Sequence, residues 1–292
     1  LMKHRLRRIK EILDHPSNRN DRISAFLRYL GWNVGRRLLD QADYVINIAP
    51  KARVILSNRE NYATLAYTCG LYDFDEMSFL TDFLRPGDIF GDFGANVGVY
   101  SVLAGSLGAT VLAAEPVPDT YARLQENLRL NCVEGQAVRC GLSHTAGKLG
   151  FTLALGGMNR VATPRDTETI EVDVLTADEL VAQTGLSPLV VKIDVEGFEL
   201  PLLRGSCALL PSVAAIIIEL NGSGGLYGYS DDEVHAYLIA AGFSCFDYLP
   251  ATRELNPRSD FQRQKFNSLY INLRMLDETR SRFSPGANLS NG

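Results

Sequence analysis

The chain has 292 residues, 46% of them hydrophobic, with 29 Lys and Arg against 34 Asp and Glu, a formal net charge of −5. That length suits one α/β domain of roughly 200 residues with an extension, and the acidity is the opposite of the basic excess carried by a general nucleic-acid binder. No apolar run approaches the roughly 18 residues of a membrane span, and no signal-peptide stretch follows the basic start, Lys3 to Lys10.

Residues 3–13 and 23–39 carry apolar side chains at helical spacing, interrupted by His15-Pro16-Ser17-Asn18. Residues 52–56 suit a short strand. The part from 1 to 70 therefore reads as a mainly helical cap. Its basic face reads as solvated surface, with a membrane-surface or acidic-partner role left open. Trp32, Leu38 and Leu39 offer apolar surface beyond what an α/β core needs, which suits a homodimer through this extension.

From about residue 75 the α/β alternation becomes regular. A helix ends near residue 84, and Arg85-Pro86-Gly87-Asp88 turns into a first strand at 89–93. A helix over 97–107, a second strand at 110–114, a helix over 119–130 opened by Pro118 and a third strand at 136–140 follow. Residues 148–155 and 169–174 suit extra strands around a Gly156-Gly157-Met158-Asn159 loop. Thr176-Ala177-Asp178-Glu179 and Ser230-Asp231-Asp232-Glu233 are capping boxes that open two further helices. The fourth strand is expected at 189–193. The fifth, 213–218, is apolar throughout, as a parallel strand covered on both faces should be. Residues 243–248 and 268–273 would close the sheet. A domain over 71–275 results, with 276–292 as a C-terminal tail. Cys69, Cys132, Cys140, Cys207 and Cys245 are odd in number and lack C-x-x-C spacing, so buried reduced thiols in a cytoplasmic protein are expected.

The chemistry concentrates after the first strand, in Gly91-Asp92-Phe93-Gly94-Ala95-Asn96-Val97-Gly98, with Glu115-Pro116 closing the second strand. This is the outline of a nucleoside-binding βαβ unit. The glycines fall as G-x-x-G-x-x-x-G, not the G-x-G-x-x-G that lets a dinucleotide pyrophosphate reach the helix N-terminus. S-adenosylmethionine carries no phosphate, so Asn96-Val97 can stand where NAD would require glycine. Gly94, Ala95 and Gly98 give backbone access, and the helix start near Asn96 is expected to offer N–H groups to the methionine carboxylate. Asp92 suits the methionine amino group, Glu115 the ribose hydroxyls, and the Gly141-Leu142-Ser143 turn the adenine.

The fourth strand runs into Lys192-Ile193-Asp194-Val195-Glu196-Gly197. Strand alternation puts Lys192, Asp194 and Glu196 on one side if the extended conformation persists, and Glu219 adds a carboxylate at the same rim. Methyl transfer needs an acceptor held in line and its proton removed. Asp194 is the first choice for that task and Glu196 the second, with Lys192 as an ion-pair partner and His144 near the rim. Asp194, Glu196 and Glu219 are oxygen ligands of the kind Mg²⁺ prefers, although no ligand spacing supports a metal.

These motifs, together with Pro86-Gly87-Asp88 and Gly141-Leu142-Ser143, resemble the FkbM-type family of S-adenosylmethionine-dependent methyltransferases over residues 72–273. The resemblance implies a doubly wound, Rossmann-like α/β sheet of seven strands in the order 3-2-1-4-5-7-6. It also implies O-methylation of a hydroxyl on a saccharide, glycolipid or small natural product. Phe93 stands where an aliphatic residue is more usual in that family and is expected to crowd the pocket. A nucleic-acid amino methyltransferase would show a D/N-P-P-Y/F turn where this chain has Asp194-Val195-Glu196-Gly197. A protein methyltransferase, an NAD-dependent oxidoreductase and a non-catalytic protein of the same fold are the other readings.

Overall fold

The computed structural model describes residues 2–38, 43–57, 60, 62–153 and 156–284. Two helices, α1 (Met2–Asp14) and α2 (Arg22–Leu38), precede a hairpin of β1 (Asp43–Ala49) and β2 (Ala52–Ser57), then α3 (Ala63–Cys69) and α4 (Phe74–Phe83). The alternating part begins with β3 (Ile89–Phe93), α5 (Val99–Ser106), β4 (Thr110–Ala114), α6 (Pro118–Leu130) and β5 (Gly135–Val138). Three strands follow, β6 (Gly141–Leu142), β7 (Gly147–Thr152) and β8 (Thr169–Leu175), then α7 (Ala177–Thr184), β9 (Val190–Ile193), α8 (Glu199–Arg204) and β10 (Ala215–Glu219). The chain continues through α9 (Asp231–Ala240), β11 (Phe243–Leu249), β12 (Glu254–Pro257), β13 (Asn267–Asn272) and α10 (Leu276–Ser281).

The main sheet runs β12-β11-β13-β10-β9-β3-β4-β5. Its β5, β4, β3, β9 and β10 are parallel, while β13 lies antiparallel to both β10 and β11. It has eight strands where seven were expected. The extra one, β12, pairs with β11 through a tight turn in which Arg253 takes a left-handed φ of 58° and its N–H bonds the Leu249 carbonyl. Its sequence shows no strong alternation because only Leu255 of β12 is buried. The strands β6, β8 and β7 form a separate three-stranded sheet. Both capping boxes are present, at Thr176 and Ser230.

The parallel strands β9 and β10 are buried almost throughout, as strands covered by helices on both faces must be. The hairpin belongs to the same core: Ile46, Ile48, Val54 and Leu56 pack with α4 and α5 residues such as Phe79 and Val102. Asn127 of α6 clamps it. Its Oδ1 accepts from the Ile55 N–H at 2.7 Å, and its Nδ2 donates to the Val97 carbonyl at 2.8 Å and the Ile55 carbonyl at 3.2 Å. The boundary placed near residue 70 therefore marks no break in packing.

Three other expectations change. Trp32 is not surface: it is buried, its Nε1 donates to Thr64 Oγ1 at 2.9 Å and its ring stacks on Tyr67. Leu38 is exposed, and Leu39 lies outside the described residues. Residues 276–284 are not a tail. Phe283 is buried against Phe79, Phe83 and Tyr248, and Arg282 grips Asp88 with Nη1 at 2.6 Å and Nη2 at 3.2 Å. Arg85 in turn donates to the Arg282 carbonyl. The rest of the expected tail, 285–292, lies outside the described residues. Finally, Cys69, Cys140 and Cys245 are buried, but Cys132 and Cys207 are exposed.

Candidate active site

The carboxyl ends of β3 and β9, neighbours in the sheet, form the centre of the site. Gly94 and Ala95 follow β3 directly, and both N–H groups bond the Ala114 carbonyl at the end of β4, at 3.0 and 2.9 Å. Asn96 and Gly98 then take left-handed conformations, φ 50° and 86°, so the helix begins at Val99 rather than 97. The Asn96 N–H donates to Glu115 Oε2 at 3.0 Å, the Val97 N–H to Asn96 Oδ1, and the Gly98 N–H to the Ala95 carbonyl. The amides of 94–98 are thus engaged within the protein. A ligand carboxylate was expected at the helix start near Asn96, and there the Asn96 N–H donates to Glu115.

Two cavities flank this turn. The larger, about 550 Å³, is bounded by Asp92, Gly94, Ala95, Asn96, Lys192, Asp194, Glu196 and Glu219. Its outer wall comes from the extension, the turn before α4 and β13, including His15, Tyr62, Tyr72, Asp73 and Asn267. The smaller, about 60 Å³, lies between Glu115, Pro116, Gly141 and Leu142 on one side and Phe151, Val161, Val195 and Phe198 on the other. Gly94, Asn96, Gly157, Asp194 and Glu196 line both.

Of the residues singled out in the sequence, Gly98, Ser143, His144 and Phe93 line neither cavity, and His144, expected near the rim, is exposed elsewhere. Gly98 is required by packing instead: with its left-handed φ, a Cβ there would stand 2.5 Å from Leu124 Cδ1. Ser143 is buried, with its hydroxyl 3.2 Å from His144 Nδ1. Phe93 points into the core beside Leu112 and Ile193, so it does not crowd the site.

The electrostatics are dominated by burial of carboxylates. Glu115 accepts from the Asn96 and Val117 N–H groups at 3.0 and 2.9 Å, one on each oxygen. Burial nevertheless pushes it up to about 7. Asp92 accepts from Ser101 Oγ at 2.5 Å and is pushed by burial up to about 6. Burial, followed by the nearby Asp194 charge, takes Glu196 to about 7 and Glu219 to about 8. Lys192 is buried with Nζ 3.2 Å from Asp194 Oδ2 and 5.4 Å from the Tyr100 ring centroid. Burial lowers its pKa, but Asp194, Glu219 and Asp73 together outweigh that and leave it raised. The Lys192–Asp194 contact is close enough for an ion pair yet lacks hydrogen-bond geometry, so the ammonium is held mainly by charge.

Glu196 sits at φ 51°, after the strand has ended, yet reaches the same cavity as Lys192 and Asp194. Among the described residues no group of three or more His, Cys, Asp or Glu side chains has the arrangement of a metal site. Three buried polar atoms of the larger cavity's lining residues have no hydrogen-bond partner among the described residues: Tyr62 OH, Lys192 Nζ and Asn267 Oδ1. Such orphans fit a polar ligand that completes them. Tyr62, Tyr72, Asp73 and His15 went unnoticed as site residues in the sequence. Tyr100 also lines the cavity and donates to Asp73 Oδ2 at 2.8 Å. No local spacing signals them, because they reach the rim only once the extension packs on α4 and α5.

Residues 92–245, more than half of the chain, match the methyltransferase FkbM domain. The chain belongs to that family. It is 34% identical over 151 residues to the hexuronic acid methyltransferase AglP of Haloferax volcanii, a match covering 50% of this chain and 62% of that protein. It is 30% identical over 197 residues to the 31-O-demethyl-FK506 methyltransferase FkbM of Streptomyces tacrolimicus, covering 55% of this chain and 74% of that one. Among solved structures, magnesium protoporphyrin IX methyltransferase (ChlM) from Synechocystis PCC 6803 with bound SAM aligns with a TM-score of 0.43 at 13% identity, over 84% of this chain and 91% of that one. No helix among the described residues is long and apolar enough to cross a membrane.

Proposed function

We propose that the chain is an S-adenosylmethionine-dependent O-methyltransferase acting on a hydroxyl of a saccharide, glycolipid or small natural product. The observation that carries this reading is the pair of unequal cavities joined at Gly94, Asn96 and Asp194. The small one has an apolar slot of Leu142, Phe151, Val161 and Phe198 that suits a flat heterocycle, with Glu115 at its edge. Each Glu115 oxygen accepts one backbone N–H and keeps a lone pair for a ribose hydroxyl. The large one offers Asp92 to a cationic amino group and leaves room beyond Asp194 for an acceptor. The relatives named for a hexuronic acid and a 31-O-demethyl compound support a hydroxyl acceptor.

The cofactor supplies a methyl carbon already activated by a sulfonium, so the chain's own task is to position and to move one proton. Lys192 fixes one carboxylate oxygen of Asp194. Asp194 orients the acceptor hydroxyl and takes its proton on a carboxylate oxygen. Glu196 and Glu219, both pushed up by burial, surround that proton with groups that exchange it near neutrality. Tyr62, Tyr72 and Tyr100 bring aromatic surface to the wall of the same cavity.

The test is calorimetric titration of the wild type and Glu115→Ala with S-adenosylmethionine, S-adenosylhomocysteine and NAD. The wild type is expected to bind the first two and not NAD. Glu115→Ala should weaken both by about 1.5–3 kcal/mol, the worth of a hydrogen bond to a charged group. Binding of NAD, or unchanged affinity in the variant, would count against the reading. Mass spectrometry of extracts for products gaining one methyl then identifies the acceptor.

A further inference from the structure

Helix α2 is apolar on two opposite faces. Ala25, Tyr29 and Trp32 are buried, and with Ile9, Ile12 and Cys69 they or their neighbours hold α1, α2 and α3 together. Ile23, Leu27, Leu30, Val34 and Leu38 fall on the other side at spacings of four, three, four and four, and each is between 44% and 77% exposed. Phe26 adjoins them and is also exposed. A helix of a solitary globular protein needs only the first of these faces. Five large aliphatic side chains aligned along one exposed stripe form a contiguous patch of the kind that marks an interaction surface.

The charge around that patch identifies what it fits. Residues 1–38 carry ten Lys and Arg against three Asp and Glu, although the whole chain has a net charge of −5. Arg37 and Arg22 lie exposed on α2, the latter 3.5 Å from Asp14, and Arg7 and Lys10 lie exposed on α1, which packs against it. We infer that α1 and α2 form a docking surface for an anionic lipid bilayer, with the α2 stripe entering the headgroup–acyl boundary and the basic residues meeting the headgroups. An amphipathic helix with basic flanks binds a bilayer by these two terms together. A second copy of this chain fits less well, because an isologous dimer sets the basic surface against itself. A nucleic acid would satisfy the charges but leave the aliphatic stripe in water.

The position gives the surface a use. Helix α1 and the turn after it supply Glu11, His15 and Pro16 to the wall of the large cavity, so the element that meets the bilayer also borders the site. This docking surface stands on its own observations and does not depend on the reaction proposed above.

The experiment is co-sedimentation of the full chain with vesicles of phosphatidylcholine alone and of phosphatidylcholine mixed with phosphatidylglycerol. Binding is expected to the mixed vesicles, weaker binding to phosphatidylcholine alone, and release by salt. Arg7→Gln with Lys10→Gln should lower partitioning roughly 30-fold, about 1 kcal/mol for each charge lost. Leu27→Ser with Leu30→Ser and Val34→Ser should lower it on the order of 100-fold. All the changed residues are exposed, and circular dichroism checks that both variants stay folded. Wild type that stays in the supernatant, or variants that sediment like wild type, overturn the proposal. So does a wild-type dimer in light scattering that the serine variant abolishes without any lipid binding, since the stripe's occupant is then a second copy.

Discussion

The carbonyl oxygen of Asp194 lies 1.9 Å from the place that a Cβ on Gly94 would occupy. The turn after β3 and the end of β9 meet there with no room for a side chain, and this contact sets the spacing between the two cavities. Gly94 also sits at φ 81°, where any other residue is strained. Gly94→Ala should therefore push the two strand ends apart. We expect a melting temperature several degrees lower and cofactor affinity reduced at least tenfold, about 1.4 kcal/mol, read by thermal denaturation and calorimetry. Unchanged values for both would mean that the strand ends separate freely and that the contact governs nothing.

Asp194→Asn keeps the size of the side chain and removes the charge proposed to take the acceptor proton. Turnover should fall by about 10²–10⁴, the usual span for general acid–base assistance. Lys192 loses its nearest carboxylate in this variant, so its pKa should drop, because burial is the cause that opposes its charge. Single-turnover transfer at saturating cofactor measures the first effect. A rate within about threefold of wild type, roughly 0.7 kcal/mol on the barrier, would remove Asp194 from the chemistry and leave Glu196 or Glu219.

Stability without ligand should depend on pH in an unusual direction. Glu115 and Glu196 are pushed up to about 7 and Glu219 to about 8, burial being the first cause of each. A carboxyl raised in the folded state favours folding below its unfolded pKa, and that contribution is lost as pH rises through the folded value. The melting temperature should thus climb as pH is lowered from about 8 toward the ordinary carboxylate range. Glu219→Gln should raise the melting temperature at the alkaline end and flatten the slope. Scanning fluorimetry across pH decides it: a wild-type curve that falls on acidification through this window contradicts the assignment.

Asn127 is the joint between the extension and the glycine turn, holding both Ile55 and the Val97 carbonyl. Asn127→Ala should cost about 1–3 kcal/mol for each buried group left unpaired, and urea denaturation reads it. Cofactor affinity should fall too, because Val97 lies in the turn that carries Asn96. A variant as stable as wild type would show that the hairpin is held by its apolar side chains together with the Asn131–Arg53 and Arg123–Asp43 contacts.

Much of this was legible in the sequence because it rests on local rules. The apolar run at 213–218 could only be a strand covered on both faces, and the Thr176 and Ser230 caps announced their helices. The places of Asp92, Glu115 and Asp194 at strand ends were legible because strand ends and glycine turns come in a fixed order. What failed depended on distant partners. Trp32 was misplaced because α2 has two apolar faces and periodicity does not say which one is covered. The amides near Asn96 were offered to a ligand carboxylate with no sign in the sequence that Glu115 and the Asn96 side chain accept from two of them. Tyr62 and Asn267 enter the site from opposite ends of the chain, and nothing in their neighbours marks them.

The Arg282–Asp88 pair has a practical side. Asp88 directly precedes β3, whereas the rim of the large cavity follows it, so the pair lies at the far end of a five-residue strand, roughly 16 Å away. A linker attached just past Ser284 would leave from the underside of the sheet. Immobilised on a bead or fused to another protein at that point, the molecule should present the rim of its large cavity outward, and the arginine would take up pulling force before any strand does.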